Sequence, residues 1–447
     1  MAKARTPGGF AAFEREALEA ALSVARGTIA EAMSAADECA LAIEVQGKSL
    51  RRVLHSPQTY MTAAGEVVVE RWLYTDRKED QPRTLSPMEK RIGIVEGFWT
   101  PEAASRGLWL VAQLTPAKVA EGLKRVGTMA PSRASLDRLP KAVSERWERD
   151  REALEAALRE GMCIPEGTAS VAVSLDGVLA PMDGADPIAH RVAAEEAGHV
   201  PRGPAGYREM GCATLSFCDK KGDLLAAIRM ARAPEAKKAS LKGQLLSELG
   251  EVLKKRPGLR IVKVADAAAD NWEFLSEAVG PGAEVIDFFH AGEHLHAALA
   301  AAYGDGTRET RVRYEELSSV LREELDGVAR VIRALEYLRT KHRNSAIVKR
   351  ELAFFRKHRA RMNYAELVAE GLAIGSGVVE AACKSLVTQR LKLSGMRWSV
   401  KGAQSILTIR GWDQSDRFDE AWALIAATWH AEVHVLAHVV ALKQPSR

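Results

Sequence analysis

The chain has 447 residues, of which 47% are hydrophobic and 27% charged, a composition typical of a globular protein with roughly two to four domains. Its five cysteines form no C-x-x-C pair, which argues against a zinc ribbon and favours a reducing compartment. The N-terminus lacks an apolar signal segment, and no run of about 18 apolar residues predicts a membrane span.

The N-terminal third is predicted to be mainly helical with one β-hairpin. Residues 10–47 carry Ala, Leu and Glu at helical spacing. "YMTAAGEVVVERWLYTD" alternates apolar and polar residues around Ala64-Gly65, which is typical of a hairpin. Two short helices follow around "GTMAP", with Ser132 as N-cap of the second. This pair is either a helix-turn-helix that presents Arg133 and Arg138 to DNA or an ordinary helical hairpin.

From residue 170 onward the pattern predicts a mixed α/β core. Three strand candidates, "SVAVSLDG", "GCATLSFCD" and "LLAAIRMA", precede a helix, a strand "RIVKVADAA", a helix "NWEFLSEAV" and a strand "AEVIDFFH". Residues from about 297 to 371 are almost entirely helical and polar, which indicates a helical insertion. A further helix begins after "GSG" at 375–377, and residues 418–442 predict a C-terminal amphipathic helix.

Three acids stand where α/β proteins usually bind ligands. Asp176 and Asp266 each follow a continuous apolar run, which indicates a strand buried on both faces. Glu380 lies one turn into the helix after the "GSG" segment. Two ionised carboxylates on neighbouring strands repel unless a cation lies between them, and oxygen donors suit Mg²⁺ or Mn²⁺. We therefore expect two such ions, as in two-metal phosphodiester cleavage. The rival acids are Asp183, Asp186, Asp270 and Asp287.

Basic residues are concentrated in two segments. Residues 381–412 contain six Lys or Arg and no acid, and residues 341–361 contain eight against the single acid Glu351. Such stripes are typical of phosphate binding, although a solvated helix face is the simpler alternative. Trp398, beside Arg397, is expected either to stack on an unpaired base or to lie in the core.

The segment "HAGEH", from His290 to His294, fits the H-x-x-E-H pattern of zinc metallopeptidases. That function requires one continuous helix. The strand-like "AEVIDFF" before His290, and Gly292 inside the motif, argue against such a helix. We expect instead that 287–290 closes a strand and that His290 supports the acidic site.

Four segments together resemble the DDE transposases of bacterial insertion sequences, most closely the ISKra type and its Lre-type relatives. They are "SLDGV", "VADAAADNW", "DFFHAGEHL" and "GSGVVEAACKSLVTQRLKLSGMRWS". The resemblance covers residues 170–415 well and the N-terminal third loosely. The chain departs from the family in reading Asp266-Ala-Ala where relatives commonly have Asp-Gly-Ala. It also has no paired N-terminal cysteines.

The resemblance implies a ribonuclease-H-like catalytic core with a helical insertion, preceded by a mainly helical DNA-binding region that contains a β-hairpin. The implied segments are 1–55, 56–167, 168–296 (core), 297–371 (insertion) and 372–447 (core and C-terminal helix). The implied catalytic residues are Asp176, Asp266 and Glu380, which would hold two Mg²⁺ or Mn²⁺ ions, with His290 from a D-x-x-H signature. The candidate DNA contacts are Lys384, Arg390, Lys392, Arg397, Trp398, Arg133, Arg138, Lys349, Arg350, Arg356 and Arg359.

The leading hypothesis is a transposase that cleaves double-stranded DNA at the ends of its element and joins the freed 3′-hydroxyl to target DNA. Metal ions and positioning suffice for this chemistry, without a covalent enzyme intermediate. We expect a homodimer on DNA, in the bacterial cytoplasm near the nucleoid. One alternative is a non-catalytic DNA-binding protein derived from a transposase, and a remote one is the zinc metallopeptidase.

Overall fold

The computed structural model describes residues 6–76, 84–183 and 206–436, with 192 and 196. The chain forms two compact units, one of Met1–Leu158 with Arg417–Arg447 and one of Arg159–Asp416. Of the predicted segment 372–447, residues up to 416 fall in the second unit and Arg417–Arg447 falls in the first.

The fold is α/β, as predicted, and contains two five-stranded sheets. The strands are β1 (Ala42–Val45), β2 (Lys48–Thr62), β3 (Gly65–Thr75), β4 (Thr84–Leu85), β5 (Ser170–Pro181), β6 (Tyr207–Cys218), β7 (Leu224–Arg232), β8 (Arg260–Ala265), β9 (Ala283–Ile286) and β10 (Val433–Val435). The helices before the second sheet are α1 (Pro7–Ala35), α2 (Pro87–Ile92), α3 (Pro101–Gln113), α4 (Pro116–Val126), α5 (Arg133–Arg149) and α6 (Arg151–Glu160). The later helices are α7 (Ala239–Lys255), α8 (Ala269–Glu277), α9 (Phe288–Tyr303), α10 (Arg308–Glu323), α11 (Gly327–Lys341), α12 (Ala346–His358), α13 (Tyr364–Ala369), α14 (Gly377–Ala382), α15 (Gln389–Leu391), α16 (Val400–Asp413) and α17 (Phe418–Ala427).

The first helix is shorter than the sequence predicts. It ends at Ala35, and part of the expected helix forms strand β1 instead. The cause is the two-residue turn Gln46-Gly47, in which both residues have positive φ, 50° and 75°. Such a turn matches the twist of two antiparallel strands, and it pairs β1 with β2.

The predicted hairpin is confirmed as β2 and β3, which pair antiparallel from Arg51 to the closing pair Thr62 and Gly65. The sheet order is β10-β1-β2-β3-β4. The prediction of a C-terminal helix over 418–442 is only partly right. Helix α17 ends at Ala427, and Val433–Val435 pairs with β1 as an edge strand; residues 437–447 lie outside the described part of the chain.

The two helices predicted around "GTMAP" are α4 and α5. The Thr115 hydroxyl accepts from the Lys118 amide, and the Ser132 hydroxyl accepts from the Ser135 amide. Each cap therefore satisfies one backbone donor at a helix start. Buried residues of α5, including Leu136, recur at helical spacing, so one face packs inward and the other remains polar.

The second sheet has the order β7-β6-β5-β8-β9. Strands β5, β6 and β7 pair antiparallel, whereas β5 pairs parallel with β8, and β8 parallel with β9. Helix α7 connects β7 to β8, and α8 connects β8 to β9. Residues 171–175 are all buried, because both faces of the central strand are covered.

The helical insertion shares its core with this sheet. One cluster of buried side chains runs from Val173 and Leu245 through Leu295 to Leu335 and Phe355. The insertion also begins earlier than predicted. Helix α9 starts at residue 288, directly after an N-cap aspartate, so the predicted strand over 283–290 is wrong beyond Ile286.

The last part of the second unit returns to the sheet through α14, a six-residue π-helical segment (Cys383–Thr388), α15 and α16. Single π-helical turns often occur at functional sites. Among the described residues no helix is both long and apolar enough to span a membrane.

We predict that Gly371→Ala destabilises the second unit. Gly371 has φ +66°, and an added Cβ would lie 1.9 Å from the Lys220 carbonyl oxygen. The strain and the backbone clash together cost about 2–4 kcal/mol, which corresponds to roughly 5–15 °C in the thermal midpoint. Gly280→Ala is the control, because an added Cβ at Gly280 meets no atom within 4 Å. Equal midpoints for the two variants would contradict this packing.

Candidate active site

Asp176, inside β5, and Asp266, directly after β8, occupy neighbouring positions of the second sheet. The strand end expected at Asp176 is wrong, because β5 continues to Pro181. The parallel pairing of β5 with β8 runs to Ser174 and Val264, and each aspartate stands two residues beyond that last pair. Continuing the register therefore brings the two side chains to adjacent positions on the same face. The charge of Asp266 acts on Asp176, which agrees with this proximity.

Asp176 is held by two donors. The Gly177 amide donates to Oδ1 at 2.6 Å, and the Cys383 thiol lies 3.5 Å from Oδ2. Contact with the Cys212 thiol and burial hold the pKa of Cys383 above its ordinary value, so Cys383 stays protonated as a donor. Burial, and then the charge of Asp266, raise the pKa of Asp176 against the effect of these donors.

Asp266 is fixed by the loop that follows it. Its Oδ1 accepts from the Ala268 amide at 3.1 Å and from Asn271 Nδ2 at 3.3 Å, and its backbone oxygen accepts from Trp272 Nε1 at 2.5 Å. Asn271 is 1% exposed and also donates to the Leu175 carbonyl at 3.3 Å. One amide side chain thus links the loop of Asp266 to the strand of Asp176.

A lysine lies behind this amide. Lys238 Nζ is 3.4 Å from Asn271 Oδ1 and 2.9 Å from Glu209 Oε1. Lys238 has φ 55°, an unfavourable region for a side chain with a Cβ. Such strain often marks functional sites. The positive charge of Lys238 counteracts the rise in the pKa of Asp176 that burial causes.

Glu380 is the third member of the cluster and is more exposed. Burial, then the charges of Asp287 and Asp176, raise its pKa. Its helix is anchored by Asp287, which is 1% exposed. One Asp287 oxygen accepts from the His290 amide at 2.6 Å, and the other accepts from the Ser376 amide. Asp287 therefore joins the start of α9 to the start of the helix that carries Glu380.

Of the rival acids, only Asp287 belongs to this cluster, and its role is structural. Asp270 is exposed in the first turn of α8, and Asp183 is exposed after β5. Asp186 lies outside the described residues. Sequence reasoning missed Lys238, Glu209 and Cys383, which no local pattern distinguishes. For Asn271 the available signal was its spacing of five residues from Asp266 in "DAAADN".

The donor chemistry of the cluster fits a hard divalent cation only in part. Carboxylate oxygens are the ligands that Mg²⁺ and Mn²⁺ prefer, and the adjacent charges of Asp176 and Asp266 favour a cation between them. However, the described residues include no group of three or more His, Cys, Asp or Glu side chains placed to hold a metal ion. Asp176 and Asp266 are therefore the residues that would hold a cation, and Glu380 interacts with Asp176 through its charge.

His290 does not close a strand, contrary to the prediction. His290, Glu293 and His294 all lie on α9, because Asp287 caps a helix at the end of β9. His290 Nδ1 is 3.5 Å from Glu293 Oε2, and His290 Nε2 is 3.3 Å from His294 Nε2. The continuous helix that the peptidase hypothesis requires is thus present, although a third metal ligand is not found among the described residues.

Some of the candidate DNA-contacting residues lie on the surface, and others are buried in the core. Lys384, Lys392 and Arg397 are exposed after Glu380. Arg390 is 1% exposed, so it cannot reach DNA in this conformation, and we remove it from the set. Trp398 is half-buried, with Nε1 donating to the Leu391 carbonyl at 3.0 Å and its ring 5.3 Å from the Arg390 guanidinium. The core alternative fits Trp398 better than base stacking.

The basic segment 341–361 is less unbalanced in charge than the sequence indicates, because its own acid Glu351 and two acids from outside the segment pair with it. Arg350 pairs with Glu351, Arg356 with Glu336, and Arg361 with Glu284. Lys349 and Arg359 are exposed. On the first unit the remaining candidates, Arg133 and Arg138, are exposed on α5.

Comparison with known proteins adds no assignment. The sequence matches no protein-family model, and no curated protein matches it. The function is therefore inferred from the side chains of this chain rather than from a relative.

We predict that Asp176→Asn stabilises the protein at neutral pH. Because the folded-state pKa of Asp176 is raised from 3.8, the folded state binds its proton more tightly than the unfolded chain does. The free energy of unfolding that Asp176 contributes therefore falls as pH rises from 3.8 through the raised pKa. Above that pKa the destabilisation by the ionised carboxylate is complete. The variant lacks this penalty, so its thermal midpoint in EDTA should exceed that of the wild type at pH 7 and converge with it in acid. Asp270→Asn should leave the midpoint unchanged. A lower midpoint for Asp176→Asn at pH 7 would contradict the assignment.

Proposed function

We propose that this chain is a DDE-type DNA transposase with a ribonuclease-H-like catalytic core. The observation that carries the proposal is the adjacency of Asp176 and Asp266 on parallel strands of a sheet ordered β7-β6-β5-β8-β9, with Glu380 within electrostatic range. The family resemblance of the surrounding motifs assigns these same three acids. The proposed substrates are double-stranded DNA at the element ends and target DNA.

The residues around the acids support positioning. Asn271 and the Ala268 amide fix the Asp266 carboxylate, while the Gly177 amide and the Cys383 thiol orient Asp176. A bound pair of Mg²⁺ or Mn²⁺ ions supplies an activated water or hydroxyl and charge stabilisation for the leaving oxygen. Prior orientation of the carboxylates lowers the reorganisation that phosphodiester cleavage requires.

Positive charge near the acids supports a polyanionic substrate. Lys384 stands four residues after Glu380 and is exposed, and Lys392 and Arg397 are exposed farther along the same segment. Cations at these positions offset the repulsion between the acids and DNA phosphates. Activity as a homodimer on DNA and a nucleoid location in the bacterial cytoplasm form part of the same proposal.

Two alternatives make different predictions. A non-catalytic DNA-binding protein would bind DNA without metal-dependent cleavage. The continuous helix α9 favours the zinc-peptidase alternative. However, Glu293 faces Nδ1 of His290 at 3.5 Å. Both Nε2 atoms lie on the other side of the two rings, so Glu293 is poorly placed to act on a water held there.

We predict that Asp176→Asn and Asp266→Asn each reduce strand cleavage by at least about 100-fold and leave DNA binding nearly unchanged. The physical reason is that each removes one anionic oxygen donor at the reaction centre without altering the exposed basic residues. The assay uses a supercoiled plasmid that carries the DNA flanking the coding sequence, with Mn²⁺, and follows nicking and linearisation.

Asp270→Asn is the matched control, because Asp270 is an exposed acid four residues after Asp266. Wild-type cleavage by Asp176→Asn would remove Asp176 from the mechanism. If the wild type binds DNA but shows no metal-dependent cleavage, the non-catalytic alternative is favoured.

We predict that Lys349→Glu combined with Arg359→Glu weakens DNA binding and reduces its dependence on salt. Removing the interaction with one phosphate should lower the slope of log K against log salt by about 0.9. Arg313→Glu with Arg333→Glu is the control, since it changes net charge equally on α10 and α11 of the same insertion. Equal slopes for the two double variants would show that the stripe is a solvated face.

A further inference from the structure

Two histidines on α9 face each other without contacting Asp176 or Asp266 in any described hydrogen bond or ion pair. His290 and His294 are four residues apart, and their Nε2 atoms are separated by 3.3 Å. The Nδ1 atom of each ring points to a carboxylate: Glu351 for His294, in a close hydrogen bond, and Glu293 for His290, at 3.5 Å. Each ring thus has a carboxylate near its Nδ1, buried for His294 and exposed for His290, and the two Nε2 atoms are within hydrogen-bond distance of each other.

The partner of His294 fixes its protonation pattern. Glu351 has a side chain only 1% exposed and also accepts from Arg350 Nε at 2.7 Å. An ionised carboxylate only accepts hydrogen bonds, so His294 carries its proton on Nδ1 when neutral. Its Nε2 lone pair then points at the other ring, and Phe354, stacked on His294 at 3.6 Å and 17°, keeps that ring in place.

We propose that His290 and His294 form a binding site for one zinc-class divalent cation, separate from the carboxylates of Asp176 and Asp266. Two imidazole nitrogens bound about 2.0–2.1 Å from a tetrahedral zinc lie about 3.3–3.4 Å apart, which matches the observed separation. Carboxylates that hold the opposite ring nitrogen are the usual support for metal-binding histidines. Water completes the coordination, since only two protein ligands converge.

The two sites differ in the metal they select. Imidazole nitrogens favour zinc and its neighbours, whereas the carboxylates of the other cluster favour Mg²⁺ or Mn²⁺. Glu351 lies on α12 of the insertion and both histidines lie on α9. A bound cation would therefore strengthen the connection between α9 and α12 within the helical insertion.

The test measures Zn²⁺ binding to the full chain by calorimetry in millimolar Mg²⁺, which occupies oxygen sites. Co²⁺ replaces Zn²⁺ to give visible absorption bands. We expect His290→Ala and His294→Ala each to lose one equivalent of Zn²⁺ relative to the wild type. Glu351→Gln should weaken that equivalent about 10–100-fold. His296→Ala, on the same helix with its ring 5.6 Å from Tyr314, should retain it.

Comparison with the wild type removes any contribution from other histidines and cysteines, and circular dichroism of each metal-free variant identifies a folding defect. If Glu351→Gln is unfolded, His290→Ala alone decides, because its ring is partly exposed and its loss leaves Glu351 paired. Zn²⁺ stoichiometry equal in wild type, His290→Ala and His294→Ala would overturn the proposal. So would equal loss in His296→Ala.

Discussion

The repulsion between Asp176 and Asp266 is the constraint on which the second unit depends. Parallel pairing of β5 with β8 brings the two carboxylates to neighbouring positions, and burial raises the free energy of the ionised form of Asp176. The surrounding amides, the Cys383 thiol and Lys238 offset part of this cost. Such a pair of buried, mutually repelling carboxylates lowers stability, and perturbed groups of this kind are common at functional sites.

Asp287 connects this constraint to the rest of the molecule. Its buried carboxylate caps α9 and holds the Ser376 amide at the start of the Glu380 helix. The insertion that lies between these two points in sequence shares the core of the sheet. The first helix of the insertion and the start of the Glu380 helix are therefore joined through one buried carboxylate.

Charge on the surface is more balanced than the order of residues indicates. Glu336 and Glu284 are distant in sequence from the arginines that they pair with, Arg356 and Arg361. The exposed Lys349 and Arg359 remain as the sharper candidates for phosphate contact. These ion pairs reduce the net positive charge of this segment, and the more exposed pair, Arg356 with Glu336, contributes little to stability.

The sequence by itself determined the features that depend on local geometry. Helix caps such as Ser132 and the hairpin at Ala64-Gly65 follow from turn chemistry and periodicity. Of the two aspartates expected at strand ends, Asp266 directly follows β8, whereas Asp176 lies inside β5, which continues to Pro181. The α/β class follows from the alternation of strands and helices. Only the tertiary structure decided which groups meet across long sequence separations. In the folded chain His290 lies on a helix rather than at a strand end, and Arg390 is buried rather than exposed to DNA. Residues Val433–Val435 form a strand that pairs with β1 rather than part of a helix. The physical reason is that burial, strand register and ion pairing depend on neighbours contributed by distant segments, which no local pattern specifies.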